Sequence, residues 1–569
     1  MNNWINLKTL RIVLYVAIFA VAGLLFFKWQ YLNIQLAAKE NAVNQAQTRT
    51  TPSSVPNLSL ATTNTDGNTD TAKSTPPALT AGTSTSTTNT SQNLITVSTP
   101  LYLLKIDPNG GNIVYGQLKQ YKETLGSDAP FVLLDSNPNA LYYIAQSGLV
   151  TSDKNIPATI AFSSPQNNYT ITGNSPVSIT LSWTSPSKVV VNKIYTFDPK
   201  GYTVKVSYTL NNQGSTPLNA RFYGELSRMP PNEPAPFWNS YTNYIGAAIS
   251  YPDNHYQKIK FANMNENSLN QTVSSGWVAM LQHYFITAWI PEANVALTQF
   301  SNVSNNIYSI GLANPNVSVA PGTSVSTGAT LYLGPAIAGQ LKQVAPYLDK
   351  AVDYGWLWFI SEIIFDVMQW IHHYIGNWGV AIILVTVLIK LLFYPLSSKS
   401  YRSMARMREL QPKIAALREK YGDDRQKLGL ATMELYKKEK VNPVGGCLPI
   451  LVQIPVFIAL YWVIMESVEL RQAPFFGWIH DLSVRDPYFI LPVLMGLSML
   501  LQQKISPKPP DPMQAKMMMI LPVIFTVMFL GFPSGLVLYW LTNNCLSILQ
   551  QWWIMRRVMQ EDGFIKKAK

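Results

Sequence analysis

The spacing of apolar positions changes three times along the 569 residues. Residues 12–27 form an unbroken apolar run, preceded by Lys8 and Arg11 and closed by Lys28. No small-x-small cleavage site follows, because Lys28-Trp29-Gln30-Tyr31 is bulky and polar. Residues 1–30 therefore read as an uncleaved signal-anchor helix, lengthened to a span by Leu10 and Trp29. Residues 31–93, dominated from about residue 41 by Thr, Ser, Asn and Ala, carry too few apolar side chains to offset ordering entropy. They predict a disordered tether with an r.m.s. span of roughly 40 Å.

From residue 94 to 348 the apolar period is two. Val177, Ile179, Leu181 and Trp183 alternate with Ser178, Thr180 and Ser182. Tyr202, Val204, Val206, Tyr208 and Leu210 alternate with Thr203, Lys205, Ser207 and Thr209. Such alternation marks strands with one buried face. Asn109-Gly110-Gly111, Asn211-Asn212-Gln213-Gly214 and Pro321-Gly322 supply the turns between strands. The segment predicts a large antiparallel β-sandwich.

Residues 349–569 switch to helical spacing. Residues 352–373 carry Glu362 and Asp366 beside a broad apolar face, which suits an amphipathic helix lying on a membrane surface. Five candidate spans follow at about 378–396, 447–468, 488–503, 517–532 and 536–555, each near the ~20 residues that a bilayer core requires. With the anchor, these make a polytopic α-helical membrane protein of six transmembrane helices. Between the first two, residues 398–441 predict a helical hairpin. Met404, Met407, Leu410, Ile414, Leu417 and Tyr421 recur at helical spacing, Pro412 bends the first helix, and Gly422 ends it. Asp423 or Asp424 caps the second helix, which runs to about Lys440.

Composition agrees with this outline. Charged residues make up 13% of the chain, against about 25% in ordinary soluble domains. The net charge of +12 leaves anionic lipid or nucleic acid as partners, and the position of the basic residues decides between them. They crowd into the hairpin, into Lys504, Lys508 and Lys516, and into a basic tail, 556–569, whereas 469–487 holds only Arg471 and Arg485. The positive-inside rule then puts both termini in the cytoplasm and residues about 31–375 in the periplasm of a bacterial inner membrane. The charge is explained by topology and anionic lipid, without a nucleic-acid recognition domain.

Chemistry-bearing motifs are sparse. Cys447 and Cys545 lie in apolar runs and read as small packing residues rather than as a disulfide framework. His255, His283, His372, His373 and His480 fit no metal-ligand spacing, and neither a phosphate loop nor a Gly-x-Ser-x-Gly elbow occurs. These absences argue against an enzyme and imply no cofactor and no metal. Lys390 stands out, as a charge inside the otherwise uncharged stretch 381–394. Two readings remain open for it. Its stem can snorkel about 9 Å to the cytoplasmic end, or its ammonium faces a watery cavity between helices. Thr386, one turn earlier, shares its face. The hairpin likewise suits either acidic headgroups or a docked protein, and Asn442-Pro443-Val444-Gly445-Gly446 and Phe532-Pro533-Ser534-Gly535 suit tight turns at span edges.

Four stretches carry a resemblance. Asn442-Pro443-Val444-Gly445-Gly446-Cys447-Leu448-Pro449 continuing to Phe457, Val468 to Phe475, Trp478-Ile479-His480-Asp481-Leu482 and Phe532 to Tyr539 closely resemble the YidC/Oxa/Alb family of membrane protein insertases. One anchor, a large periplasmic domain and five further spans resemble its Gram-negative form. The resemblance implies a periplasmic β-supersandwich similar to sugar-binding folds. It also implies a hydrophilic groove open to cytoplasm and lipid but closed toward the periplasm, serving insertion and folding of nascent membrane proteins, alone or with the Sec translocon. Ribosomes would contact the hairpin and the basic tail. By position, Lys390 matches the groove's basic residue, Thr386 lies one turn from it, and Trp540 matches an aromatic groove position beside Tyr539. Gln503 matches a polar position at the inner end of the fourth span. The family's usual groove residue is arginine, so lysine here keeps the charge and loses the planar fork.

Two rival readings have sequence consequences. A secondary transporter predicts paired, interrupted helices in two related halves, and no such repeat is visible. A carbohydrate-processing sandwich predicts a paired acid and base, and five spans exceed what an anchor needs.

Overall fold

The computed structural model describes residues 94–139, 142–231, 244–292, 295–422, 424–439, 448–506 and 512–561. The predicted anchor, the tether, the Asn442–Cys447 motif and the last part of the basic tail lie outside these residues. Among the described residues the N-terminal part is a two-layer β-sandwich, with one sheet of eleven strands and one of eight. The alternation in the sequence becomes the layer between them. Strand Val189–Phe197 buries every second residue without a break. It pairs in antiparallel register with Thr203–Asn212, Val191 facing Leu210 and Tyr195 facing Val206. Ile179, Leu181, Val204, Val206, Tyr208 and Leu210 are all buried, while Val177, expected in the core, is exposed at the start of its strand. One pairing is parallel, Ile95–Ser98 with Asn168–Thr170.

A polar cluster sits inside this apolar layer. The buried Lys193 donates to the carbonyls of Gly110, at 3.1 Å, and Ser147, at 3.0 Å. Its ammonium lies over the rings of Tyr195 and Tyr208. Burial holds its pKa well below the usual lysine value. The cluster ties a strand of one sheet to a turn and a strand of the other, because a buried donor must keep its acceptors.

The helical part begins with α1 (Trp358–Ile375), which buries Ser361, Ile364, Phe365, Met368 and Ile371 at spacings of three and four. Its other face exposes Trp358, Ile363, Trp370 and Tyr374. Next is α2 (Trp378–Leu392), whose N-terminus is capped by the Asn377 side chain accepting from the Val380 amide. The expected span to residue 396 stops earlier. The chain turns by 69° at Phe393 into α3 (Tyr394–Glu409), because Pro395 has no amide to continue the hydrogen bonding of α2 and is accommodated in the first turn of a new helix. Two short helices follow, α4 (Gln411–Tyr421) and α5 (Arg425–Lys438). The remaining long helices are α6 (Leu448–Glu466), α7 (Ile490–Ile505), α8 (Pro512–Phe529) and α9 (Ser534–Glu561).

The stripe read as one face of the hairpin divides between two partners. Leu410 and Ile414 pack with Met407, Leu435 and Tyr436, closing α4 on α5. Met404, with Tyr401 and Ala405, packs instead on Ile554 and Met555 at the end of α9. Cys545, expected to pack inside, is exposed on α9. Among the described residues no single helix is long and apolar enough to cross a membrane by itself; the bent pair α2–α3 reaches that length and composition only when its two helices are taken together. The cause is local: α2 is cut at Phe393, and α9 carries Asn543, Asn544, Gln550 and Gln551 inside its apolar stretch.

Sandwich and helices share one continuous apolar core running through Leu341, Leu348, Val352 and Leu357. Polar contacts fix the joint. Arg471 donates to the carbonyls of Lys122 and Glu123, at 2.7 and 2.9 Å, and covers the rings of Phe131 and Phe285. The His283 ring meets the Met465 carbonyl through Nε2, at 2.7 Å. Desolvation at the joint outweighs that hydrogen bond and pushes the His283 pKa down to about 4. An unfolded histidine protonates near 6.5, so on acidification the unfolded chain takes up the proton first. The stability this neutral ring confers is therefore present above about pH 6.5 and is lost as pH falls towards 4, by no more than about 3 kcal/mol. Hydrogen exchange at residues 283–285 and 465–467, corrected for intrinsic rates, should rise between pH 7 and 5. His283→Gln should flatten the response, and a wild type without pH dependence would remove this account.

Candidate functional site

Three helices converge on Lys390. It lies in the last turn of α2 and is 8% exposed. Its ammonium donates to Ser547 Oγ of α9 at 2.8 Å and to Gln453 Oε1 of α6 at 3.3 Å. The Gln453 amide nitrogen donates in turn to Asn543 Oδ1 and, at 3.5 Å, to the Tyr539 hydroxyl. Ser547 donates to the Asn543 carbonyl at 2.7 Å, so its oxygen is oriented by its own helix. Every partner is neutral, and among the described residues no carboxylate pairs with Lys390. An ammonium has three hydrogens, and these contacts use two. A narrow cleft beside it is lined by Ile389, Phe393, Leu396, Val452 and Gln453. Among the described residues the arrangement solvates a cation with dipoles and leaves one of its hydrogens without an acceptor.

Toward the sandwich this polar cluster gives way to an aromatic plug. Tyr539 is buried and stacks on Phe457. Trp540 meets Phe457 edge-on at 4.7 Å and packs on Phe525 and Phe529. The Trp540 Nε1 is buried and finds no acceptor among the described residues. Beyond the plug, a loop closes the end of the bundle. Ser534 and Gly535 donate through their amides to the carbonyls of Val484 and Leu482, and Asn377 donates to the Phe475 carbonyl. Phe475 packs so tightly on Gly379 that a Cβ there would lie 2.1 Å from the ring. Asp486 is buried and accepts from Trp478 Nε1 and from the amides of Tyr488 and Leu491, which anchors the loop to the start of α7.

The residues singled out in the sequence are thus partly brought together. Lys390 and Tyr539 belong to one network through Gln453. Thr386 is buried on the same helix, but its hydroxyl bonds the Ile382 carbonyl within α2. Trp540 sits in the plug. Gln503 is half-buried near the end of α7 and is not among the hydrogen-bond partners of Lys390. A second polar seam joins α7 to α9 through Asn544 with Ser498, at 3.0 Å, and Gln551 with Ser506, at 3.3 Å.

Comparisons with known proteins agree along the whole chain. Residues 94–367 match the YidC periplasmic domain family, and residues 370–561 match the 60Kd inner membrane protein family. The membrane protein insertase YidC of Hahella chejuensis is 44% identical over 572 residues, covering 98% of this chain and 99% of its own. That of Coxiella burnetii is 45% identical over 579 residues, covering 98% of each. The chain belongs to the YidC family. Within this YidC family member, sequence reasoning had missed Gln453, Asn543 and Ser547. A signal for two of them was present, since Tyr539, Asn543 and Ser547 are spaced by four and so share one face of a helix.

Removing one partner of a buried charge costs more than removing both. Ser547→Ala should destabilise the purified protein by about 1–3 kcal/mol. Adding Lys390→Met should restore most of that loss, as read by thermal unfolding in detergent. Equal melting of wild type and Ser547→Ala would show that the bond contributes nothing.

Proposed function

We propose that this chain inserts and folds nascent proteins of the bacterial inner membrane, using the polar cluster around Lys390 as a groove. The observation that carries the reading is a buried ammonium whose partners among the described residues are all neutral, in a bundle closed at its sandwich end by the 475–489 loop. Large exposed apolar side chains cover the outside of the bundle, among them Leu497 on α7 and Met517, Ile520, Val523 and Val527 on α8. Exposed apolar surface on this scale calls for lipid or a partner. In this reading α2, α6, α7, α8 and α9 are five spans, residues 1–30 add a sixth, and both termini are cytoplasmic.

The mechanism follows from desolvation. A polar or acidic segment entering hydrocarbon loses its water, at a cost of about 2.5–3.5 kcal/mol per charge on insertion scales. The groove replaces that water with the Lys390 ammonium and the amides of Gln453 and Asn543. The plug and the 475–489 loop stop the segment from meeting an open pore, so ions do not leak. The apolar segment of the substrate leaves sideways into lipid, and its burial at about 25 cal/mol per Å2 drives the process without nucleotide hydrolysis. Thr386, Gln503 and Trp540 line the same path. The basic hairpin and tail meet ribosomes and anionic lipid, and the Sec translocon works beside the bundle for larger substrates.

Liposomes containing only the purified protein test this. With a single-span substrate bearing a short acidic tail, wild type and Lys390→Arg should protect the tail from external protease. Lys390→Ala should fall at least about tenfold, the loss expected when ~1.4 kcal/mol of capture energy is removed. Wild-type liposomes that protect no more substrate than empty ones would sink the autonomous form of the proposal.

A further inference from the structure

The root of the basic hairpin is built into the wall of the groove. Helix α3 buries Ser397, Ser400, Tyr401 and Ala405, whose spacings of three and four put them on one face. Leu396 and Ser397, in its first turn, line the narrow cleft beside Lys390. One turn further on, the Tyr401 ring packs with Ala405 on Ile554 and Met555 at the end of α9. Its hydroxyl is hydrogen-bonded to the side chain of Ser547, which accepts from the Lys390 ammonium at 2.8 Å. Helix α3 thus touches the site twice, once beside the charge and once behind its partner.

The direction of these bonds follows from the hydrogens available. A serine hydroxyl has one hydrogen and two lone pairs. The Ser547 hydrogen goes to the Asn543 carbonyl at 2.7 Å, and one lone pair takes the ammonium. Tyr401 is therefore the donor to the second lone pair, and the serine oxygen is held from three helices at once: α9, α2 and α3. Lys390, Tyr401 and Ser547 are all buried, so a bond lost among them leaves a desolvated group unpaired. Without the Tyr401 donor the serine hydroxyl is freer to turn, and the ammonium is seated less firmly. We propose that Tyr401 is a positioning residue for Lys390, its hydroxyl holding Ser547 against the ammonium and so tying the seating of the charge to the placement of α3. This inference rests on the reading of Lys390 as the groove charge. The link to the hairpin is short, because Leu410 alone separates α3 from α4, and Leu410 and Ile414 close α4 on α5. Displacing α3 from α9 withdraws the donor and loosens the charge.

Two readouts on the full-length protein test this. The first needs no substrate. Acetic anhydride is added to the protein in detergent, and acetylation of Lys390 is followed by peptide mass spectrometry against that of Lys399, exposed on α3. Tyr401→Phe keeps the ring that packs on α9 and removes only the donor. It should speed Lys390 acetylation by about threefold, the scale of one neutral hydrogen bond, and leave Lys399 unchanged. Ser547→Ala should speed it at least as much, and adding Tyr401→Phe to that variant should do nothing further. The second readout is insertion of the acidic-tailed substrate into liposomes. Tyr401→Phe should lower it by about threefold in the wild-type background and cause no further loss in Lys390→Ala. A merely structural role for Tyr401 would lower insertion equally in both backgrounds and would add to the effect of Ser547→Ala. Either additive result would overturn the proposal. So would an unchanged Lys390 rate in Ser547→Ala, a result that a poorly folded Tyr401→Phe protein could not hide. If wild type itself inserts nothing, the groove reading fails, while acetylation still decides the place of Tyr401.

Discussion

Everything in the helical half is arranged around one unfavourable term, the burial of a full positive charge in an apolar bundle. An ammonium moved out of water costs several kcal/mol unless the protein replaces its hydration. Here the replacement comes from three different helices. Lys390 is on α2, Gln453 on α6, and Ser547 and Asn543 on α9. None of these groups can be satisfied alone, so the charge dictates that the three helices meet and sets their rotation about their own axes. A carboxylate partner would have cancelled the field of the ammonium. Neutral partners hold the ammonium in place and leave its charge expressed.

The two ends of the bundle solve opposite problems. At the sandwich end, Phe457, Trp540, Phe525 and Phe529 fill the space that polar groups occupy lower down. The 475–489 loop is then bound by backbone hydrogen bonds to the start of α9. Arg471 carries that loop region onto the sandwich by donating to the Lys122 and Glu123 carbonyls. The seal is thus braced from outside by a large rigid domain. At the other end the chain is highly charged, and its apolar contacts are few: Tyr401 and Ala405 on Ile554 and Met555, and Leu410 with Ile414 on Leu435. Among the described residues the bundle is thus held far more firmly at one end than at the other.

Much of this was legible in the sequence wherever a period was long enough to express a face. Tyr202 to Leu210 alternates over nine residues, and each apolar member is buried. Lys390 was visible because it is a charge where none is expected. Its partners were hidden for a physical reason: Gln453, Asn543 and Ser547 are single neutral polar residues in apolar helices, and only helix packing makes them neighbours. The break at Phe393 was missed although Pro395 stood two residues on, because the apolar run continues through it. The division of the hairpin stripe could not be read at all, since Met404 and Met407 belong to one periodic series and differ only in which helix passes nearby. Thr386 illustrates the converse, a residue on the expected face whose hydroxyl is consumed by its own helix.

The lengths of the helices connect the site to the membrane itself. At 1.5 Å per residue, the fifteen residues of α2 rise about 22 Å and the sixteen of α7 about 24 Å. A typical hydrocarbon core is about 30 Å thick. If these helices span, the bilayer beside them must thin, since tilting would shorten their reach further. Thinning brings both headgroup layers closer to Lys390 and shortens the apolar path that a polar tail must cross. The short spans and the buried ammonium then act on the same barrier from two directions, one reducing its width and the other its height. Trp356, Trp358 and Trp370 are exposed, as aromatic side chains at the headgroup level of a membrane are.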